Sequence, residues 1–356
     1  MPTSSQTRLQ QWIESVPHFD AEAARAATER QNRLTKPPGS LGRLEEASIQ
    51  LAGILGSARP VIAGKAVLVA AGDHGVAAEG VSAYPQEVTA QMVLNFLRGG
   101  AAINVLARHA GADVVVVDMG VATPLPPHES LRVVHVADGT GNIARGPAMT
   151  REQACGALVG GGKVALELAR SGHNLLAFGD MGIANTTPSA AIIAAVSGRP
   201  VEEVVGRGTG VEGEAYDNKV RIVRQALQTN APDAGDALDV LAKVGGFEIA
   251  GLAGAMLAAA TCRCALVVDG VISAAAALIA VGLQSRARDF MVASHRSAEP
   301  GHCVALDVLG LEPLLDFNLR LGEGTGAALA FPVIEAAARI LNEMATFEEA
   351  GVSDRD

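Results

Sequence analysis

The chain has 356 residues, 49% of them hydrophobic and 19% charged, with a net charge of −10. That length and balance fit a soluble globular protein of one large domain, or one large and one small, with ample core. The acidic excess argues against nucleic acid or an anionic membrane as partner, but leaves phosphate-bearing small molecules open, because backbone N–H groups bind phosphate without net positive charge.

The first residues, MPTSSQTRLQQW, hold no basic region followed by an apolar one, so no secretion signal is expected and the cytoplasm is the expected compartment. The first sixty residues read as helix. DAEAARAATERQNRL is strongly helical, TKPPGS stops it through Pro37, Pro38 and Gly39, and LGRLEEASIQLAGILG resumes at helical spacing. From Ala66 short valine-rich runs alternate with longer helical segments, the pattern of βαβ units in a parallel sheet buried on both faces.

The expected strands are AVLVAAG, DVVVVDMG, RVVHVAD, NLLAFGD, ALVVDG, DFMVAS and PLLDFN. Helical stretches lie between most of them, including PQEVTAQMVLNFLRGGAAINVLARHAG and REQACGALVGGGKVALELARSG. Forty glycines against 3% aromatics point to tight turns and helices that approach closely. The membrane-like stretch 249–283 is split by Arg263 and Asp269 into apolar runs of 14 residues each. Those are shorter than the roughly 20 needed to span a bilayer, so buried helices and a strand are expected there. GAALAFPVIEAAARILNEMATF reads as a long amphipathic helix interrupted near Pro332, and the polar tail EEAGVSDRD as frayed.

Ionisable residues gather just beyond the strands: Asp73 and His74, Asp118, Asp180, Asp269, His295 and Arg296, then Glu323. In an open α/β sheet, ligands bind beyond the carboxyl ends of the strands, where the strand order reverses. GDMGIANTTPSAA (179–191), GRGTGV (206–211) and GTGN (139–142) are glycine turns that suit phosphate or serve as plain turns. No Walker A lysine pattern is present, which removes support for a P-loop enzyme.

At this level several residues keep two readings. His74 orients a loop or contacts a ligand. Lys219, in AYDNKVRIVRQAL, has a solvated helix face as its default. Glu323, between Gly322 and Gly324 where a helix begins, either offsets the helix dipole or acts as a base. Cys155, Cys262, Cys264 and Cys303 contain no CxxC pair and read as small buried hydrophobes of a reducing compartment. Asp73, His74, His295 and His302 lack a ligand spacing, so no metal is expected.

KPPGSLGRLEE, AGDHGVAAEGVSAYPQEVT, GTGNIARGPAMTREQA, GDMGIANTTPSAA, VGGFEIAGLAGAM, DGVISAAAAL, SHRSAEPGH and LRLGEGTGAALA follow one another from about Lys36 to about Ala330. Together they closely resemble the nicotinate-nucleotide–dimethylbenzimidazole phosphoribosyltransferase family of cobalamin biosynthesis. The resemblance implies an α/β fold, a Rossmann-like parallel sheet flanked by helices, with a small helical domain built from both chain ends. Residues 1–60 and 331–356 are then the small domain, and 61–330 the catalytic one. It implies a homodimer, no cofactor and no metal, with nicotinate mononucleotide and a benzimidazole-type base as substrates.

By that resemblance Glu323 is the general base. Gly182, Asn185, Thr186 and Thr187, then Gly206, Arg207, Gly208 and Thr209, hold the phosphate and ribose, and Lys219 matches the family's downstream lysine. Asp73, His74, Tyr84, Asp180 and Gly322 are further substrate-contact candidates. Asp180 stands where the family often has glutamate, and Tyr84 lies in the segment that shapes the base site.

Overall fold

The computed structural model describes residues 3–353. Six strands, β1 (Lys65–Gly72), β2 (Asp113–Gly120), β3 (Leu131–Val133), β4 (Leu175–Met181), β5 (Ala265–Val268) and β6 (Met291–Ala293), form one sheet in the order β3-β2-β1-β4-β5-β6. Every neighbouring pair is parallel. The order reverses between β1 and β4, the arrangement of a Rossmann-like sheet. Val67, Leu68, Val69 and Ala70 of β1 are buried, as continuous apolar runs require in a sheet covered on both faces.

Glycine lets the covering helices close up. The helices Arg151–Arg170 and Phe247–Thr261 cross so tightly that a Cβ on Gly161 would stand 2.0 Å from the Gly251 carbonyl oxygen. A Cβ on Gly254 would meet the Leu158 carbonyl oxygen at 1.8 Å. The membrane-like stretch resolves into Phe247–Thr261, β5 and the helix Val271–Leu283, all in the core. Among the described residues no helix is long and apolar enough to cross a membrane.

The ends of the chain meet. The helices Ser4–Ser15, Ala21–Gln31 and Arg43–Leu55 open the fold, and Thr325–Glu343 returns to pack Leu341 with Ala27 and Ala52. Leu34 and Thr346 add an antiparallel bridge. The TKPPGS break is held by Glu45, which pairs with Lys36 Nζ at 2.8 Å and accepts the N–H groups of Gly39 and Leu41.

Several elements differ from expectation. RVVHVAD is extended only to Val133, because the Val134 and His135 N–H groups both turn onto the Asp118 carbonyl oxygen, with His135 at φ +35°. PLLDFN forms no main-sheet strand, meeting that sheet only where the Leu314 N–H donates to the Ala293 carbonyl oxygen of β6. It forms β8 (Leu315–Leu319), paired parallel with β7 (His295–Ser297), and its exposed Asp316, Phe317 and Asn318 suit a surface ribbon rather than a buried strand. The long stretch after β1 is two helices, Val88–Leu97 and Ala102–Ala110, parted at Gly99, φ +77°. Helix Thr325–Glu343 runs on through Pro332, whose fixed φ is compatible with the helix and whose cost is a missing backbone donor. The tail is partly ordered: Phe347–Ala350 forms a turn with a Thr346/Glu349 capping box. Its last residues, 354–356, like Met1 and Pro2, lie outside the described residues.

Candidate active site

Beyond the carboxyl ends of the strands lies a cleft of about 510 Å³. The segment after β1 supplies Tyr84, Val88 and Met92, and the segment after β4 supplies Asp180, Gly182, Asn185 and Thr186. These two strands flank the reversal of strand order. Val271 and Ile272 enter after β5, His295 and Glu299 after β6, and Arg320 to Glu323 after β8.

Glu323 sits in an unusual backbone. Gly322, Glu323 and Gly324 have φ of +83°, +62° and +88°, three left-handed residues in succession. A non-glycine residue there costs about 1–3 kcal/mol and persists only where its surroundings hold it. The Thr325 N–H and hydroxyl both donate to the Gly322 carbonyl oxygen, at 3.0 and 2.8 Å. Asp269 accepts the N–H groups of Gly324 at 3.2 Å and Ala327 at 2.9 Å. The Glu323 side chain is nearly buried, and its Oε2 accepts only a long contact, 3.4 Å, from the Ile103 N–H. Burial pushes its carboxyl above the ordinary value, the Ile103 N–H opposes this, and the Asp269 charge adds to it. A carboxylate so placed is a stronger base than one in water.

Asp180 lies against Gly322, and Asn185 Nδ2 donates to its Oδ2 at 2.9 Å. Burial, reinforced by Asp269, Glu248 and Glu323, raises the Asp180 carboxyl to about 8 despite Asn185. It is therefore largely protonated at neutral pH.

Lys219 is buried rather than on a solvated face: its Nζ donates to Thr186 Oγ1 at 2.8 Å and to the Gly206 carbonyl oxygen at 3.1 Å. Burial lowers it to about 8, against the opposing charge of Glu299. Gly208, φ +53°, is required here, since a Cβ would stand 2.7 Å from Thr186 Oγ1 and 2.8 Å from Lys219 Nζ. Its N–H donates to Glu299 Oε1 at 2.9 Å, and Thr209 Oγ1 accepts the Ala83 N–H, tying this turn to the Tyr84 segment. Gly206 and Arg207 line an adjoining cavity of about 670 Å³ that shares Glu299 and Arg320 with the cleft.

Other sequence candidates stay out of the cleft. Asp73 accepts the Ala122 N–H at 2.9 Å, and His74 is buried with Nε2 2.8 Å from Glu248 Oε1, behind Gly182. His74 thus fits the loop-orienting reading. Thr187 is fully buried, and GTGN serves as structure, with Thr140 bridging to His74. Sequence reasoning gave no site role to Glu299, Asp269, His295 or Arg320. Glu299 directly precedes Pro300 and so reads as a helix cap; Asp269 and His295 carried only the positional signal of following a strand. Among the described residues no group of three or more His, Cys, Asp or Glu is arranged to hold a metal ion.

A family model described as phosphoribosyltransferase matches residues 16–352. The nicotinate-nucleotide–dimethylbenzimidazole phosphoribosyltransferase of Chloroflexus aurantiacus is 55% identical over 347 residues, 98% of this chain and 99% of its own. The chain belongs to the nicotinate-nucleotide–dimethylbenzimidazole phosphoribosyltransferase family. The Geobacter sulfurreducens relative of the same name is 56% identical over 350 residues, 98% of this chain and 99% of its own. A crystal structure of the Thermus thermophilus phosphoribosyltransferase superposes with a TM-score of 0.90 at 50% identity, covering 95% of this chain and all of that one. For this phosphoribosyltransferase the motifs 179–191 and 319–330, far apart in sequence, meet at Gly179 and Glu323 and line the cleft side by side.

Proposed function

We propose that the protein transfers the phosphoribosyl group of nicotinate mononucleotide to 5,6-dimethylbenzimidazole with inversion at C1′. The products are α-ribazole 5′-phosphate and nicotinate, and the reaction belongs to cobalamin biosynthesis. The observation that carries this reading is Glu323, a buried, weakly partnered carboxylate of raised pKa facing a cleft with an apolar wall of Val88, Met92, Val271 and Ile272.

The ring nitrogen of nicotinate in the mononucleotide is a pyridinium, so breaking its bond to C1′ releases a neutral ring that needs no acid. The demand falls on the nucleophile. One nitrogen of dimethylbenzimidazole attacks C1′ while the other loses its proton to Glu323. Attack from the face opposite the departing ring inverts β to α. The cleft contributes by holding both rings across one sugar.

The mononucleotide phosphate lies between Thr186 and Gly208, where buried Lys219 has only neutral direct partners and an adjacent anion favours its protonated form. Asn185, Gly182 and Asp180 face the ribose, and Tyr84 covers the aromatic base. Asp180, one methylene shorter than glutamate, reaches its partner through Asn185. Two copies form the working enzyme in the cytoplasm, each with a small domain built from residues 1–60 and 331–356 around the 61–330 catalytic domain. Sedimentation at assay concentration tests the dimer.

The activity test is incubation of the purified protein with nicotinate mononucleotide and dimethylbenzimidazole, with both products followed by chromatography. Equal amounts of α-ribazole phosphate and nicotinate are expected. Nicotinate release without the α-nucleotide would mean a hydrolase and overturn the transfer reading.

A further inference from the structure

A second carboxylate is folded against the Glu323 loop but never reaches the cleft. Asp269 follows β5 and is fully buried, while its neighbours Gly270, Val271 and Ile272 line the cleft and it does not. Its N–H donates to Ser273 Oγ at 3.1 Å, which fixes the turn. Its two oxygens take the N–H groups of Gly324 and Ala327 at the start of helix Thr325–Glu343. The first N–H groups of a helix have no partner within it and are usually satisfied by the side chain of the cap residue. Here the cap is Gly324, which has none, and the acceptor arrives from 55 positions away.

We propose that Asp269 is a positioning residue for the reaction: by anchoring Gly324 and Ala327 it holds Glu323 in the left-handed conformation that presents its carboxylate to the cleft. This rests on Glu323 being the proton acceptor. Glu323 is flanked by two anchors, the Thr325 bonds to Gly322 on one side and Asp269 on the other. Without the second, the φ of +62° loses its support, and a residue of this kind relaxes toward negative φ and swings its side chain.

Charge on Asp269 also raises the Glu323 carboxyl, while burial pushes Asp269's own carboxyl up against His295 and the N–H groups of Ala327 and Gly324. The other charged and titratable groups lining the cleft with Glu323 are Tyr84 after β1, Asp180 after β4, His295 of β7, Glu299, and Arg320 after β8, with the His74–Glu248 pair behind Asp180. His295 Nδ1 stands 3.9 Å from Asp269 Oδ1. It donates instead to Ser294 Oγ at 2.9 Å, whose own proton goes to the Val268 carbonyl oxygen. His295 therefore does not replace Asp269 as the anchor.

The test is Asp269→Asn, whose amide oxygen accepts one of the two N–H groups and whose NH2 cannot accept the other. Expected is a fall in kcat of about 100-fold, the scale of a misplaced reacting group, with an unchanged KM for nicotinate mononucleotide. Removing the charge eases ionisation of Glu323, so the acid limb of kcat/KM moves to lower pH. A wild-type kcat, a rise in KM alone, or an acid limb that stays in place overturns the proposal.

If that variant does not fold, Thr325→Val removes one of the bonds on the opposite anchor. It should lower kcat with KM and the acid limb unmoved, and wild-type kcat there also overturns the proposal. Glu323→Gln separates the two ideas. Normal turnover in it overturns the base reading itself, whereas lost turnover in it beside wild-type kinetics in Asp269→Asn overturns only the positioning role.

Discussion

The carbonyl group of Glu323 lies against Gly179 in the middle of the sheet, so close that a Cβ at 179 would stand 2.3 Å from its oxygen. Gly179 belongs to β4 and pairs with Val69 of β1, so the strand cannot give way. The Glu323 loop and the sheet are thus in backbone contact, with no side chain between them to absorb a change. Gly179→Ala should cost about 1–3 kcal/mol, the usual range for overpacking, and should lower turnover by displacing Glu323. Urea denaturation and steady-state rates check both, and a variant matching wild type in both contradicts the close approach.

Asp180 ties stability to pH. Its carboxyl rises from 3.8 to about 8 on folding, so between those values the unfolded chain has lost the proton that the folded chain keeps. The folded state binds more protons there, and stability falls as pH rises across that window. The contribution is complete below about pH 4 and gone above pH 8. Asp180→Asn should flatten that part of the stability profile, as read from denaturation midpoints at pH 5 and pH 8. An unchanged slope would show that Asp180 is ionised when folded.

Lys219 has the opposite sign. Its pKa falls from 10.5 to about 8 on folding, so the folded state binds fewer protons between those values and this contribution to stability grows as pH rises through them. A phosphate placed beside Nζ restores the charge. Mononucleotide binding near pH 8 should therefore take up protons, seen by calorimetry in buffers of different ionisation enthalpy. Lys219→Met should bind more weakly and lose the lysine's share of the uptake. Equal uptake in the two proteins would place the phosphate elsewhere.

His135 clamps the end of β2. Its ring nitrogens stand 3.0 Å from Asp118 and 2.9 Å from Asp138. Partial burial lowers its pKa, but the two carboxylates outweigh this and leave it above the ordinary 6.5. A raised histidine contributes stability that is complete below about pH 6.5 and is lost as pH rises through the folded value. His135→Asn should therefore destabilise the protein at pH 6 more than at pH 9. A loss independent of pH would reduce the clamp to packing.

The sheet was legible because β1, β2, β4 and β5 are buried on both faces and so read as unbroken apolar runs. β7 was not, since His295–Ser297 is short and polar and its pairing depends on β8, a partner known only from the fold. Glu323 could be singled out because glycines flank it, a local signal. The burial of Lys219 is not local: its helix reads as amphipathic, and only the turn at 206–208 folding over it removes the water. Asp269 carried the signal of every acid after a strand, and its bond to the Gly324 N–H, 55 positions away, exists only in the fold.

The most direct test of the central claim is the turnover of Glu323→Gln with nicotinate mononucleotide and dimethylbenzimidazole. Glutamine keeps the shape of the side chain and removes its basicity. The expected result is a kcat lower by about 100-fold or more, the scale of general-base catalysis, with mononucleotide affinity kept. Near-normal kcat in a folded Glu323→Gln protein would contradict the claim that this carboxylate takes the proton.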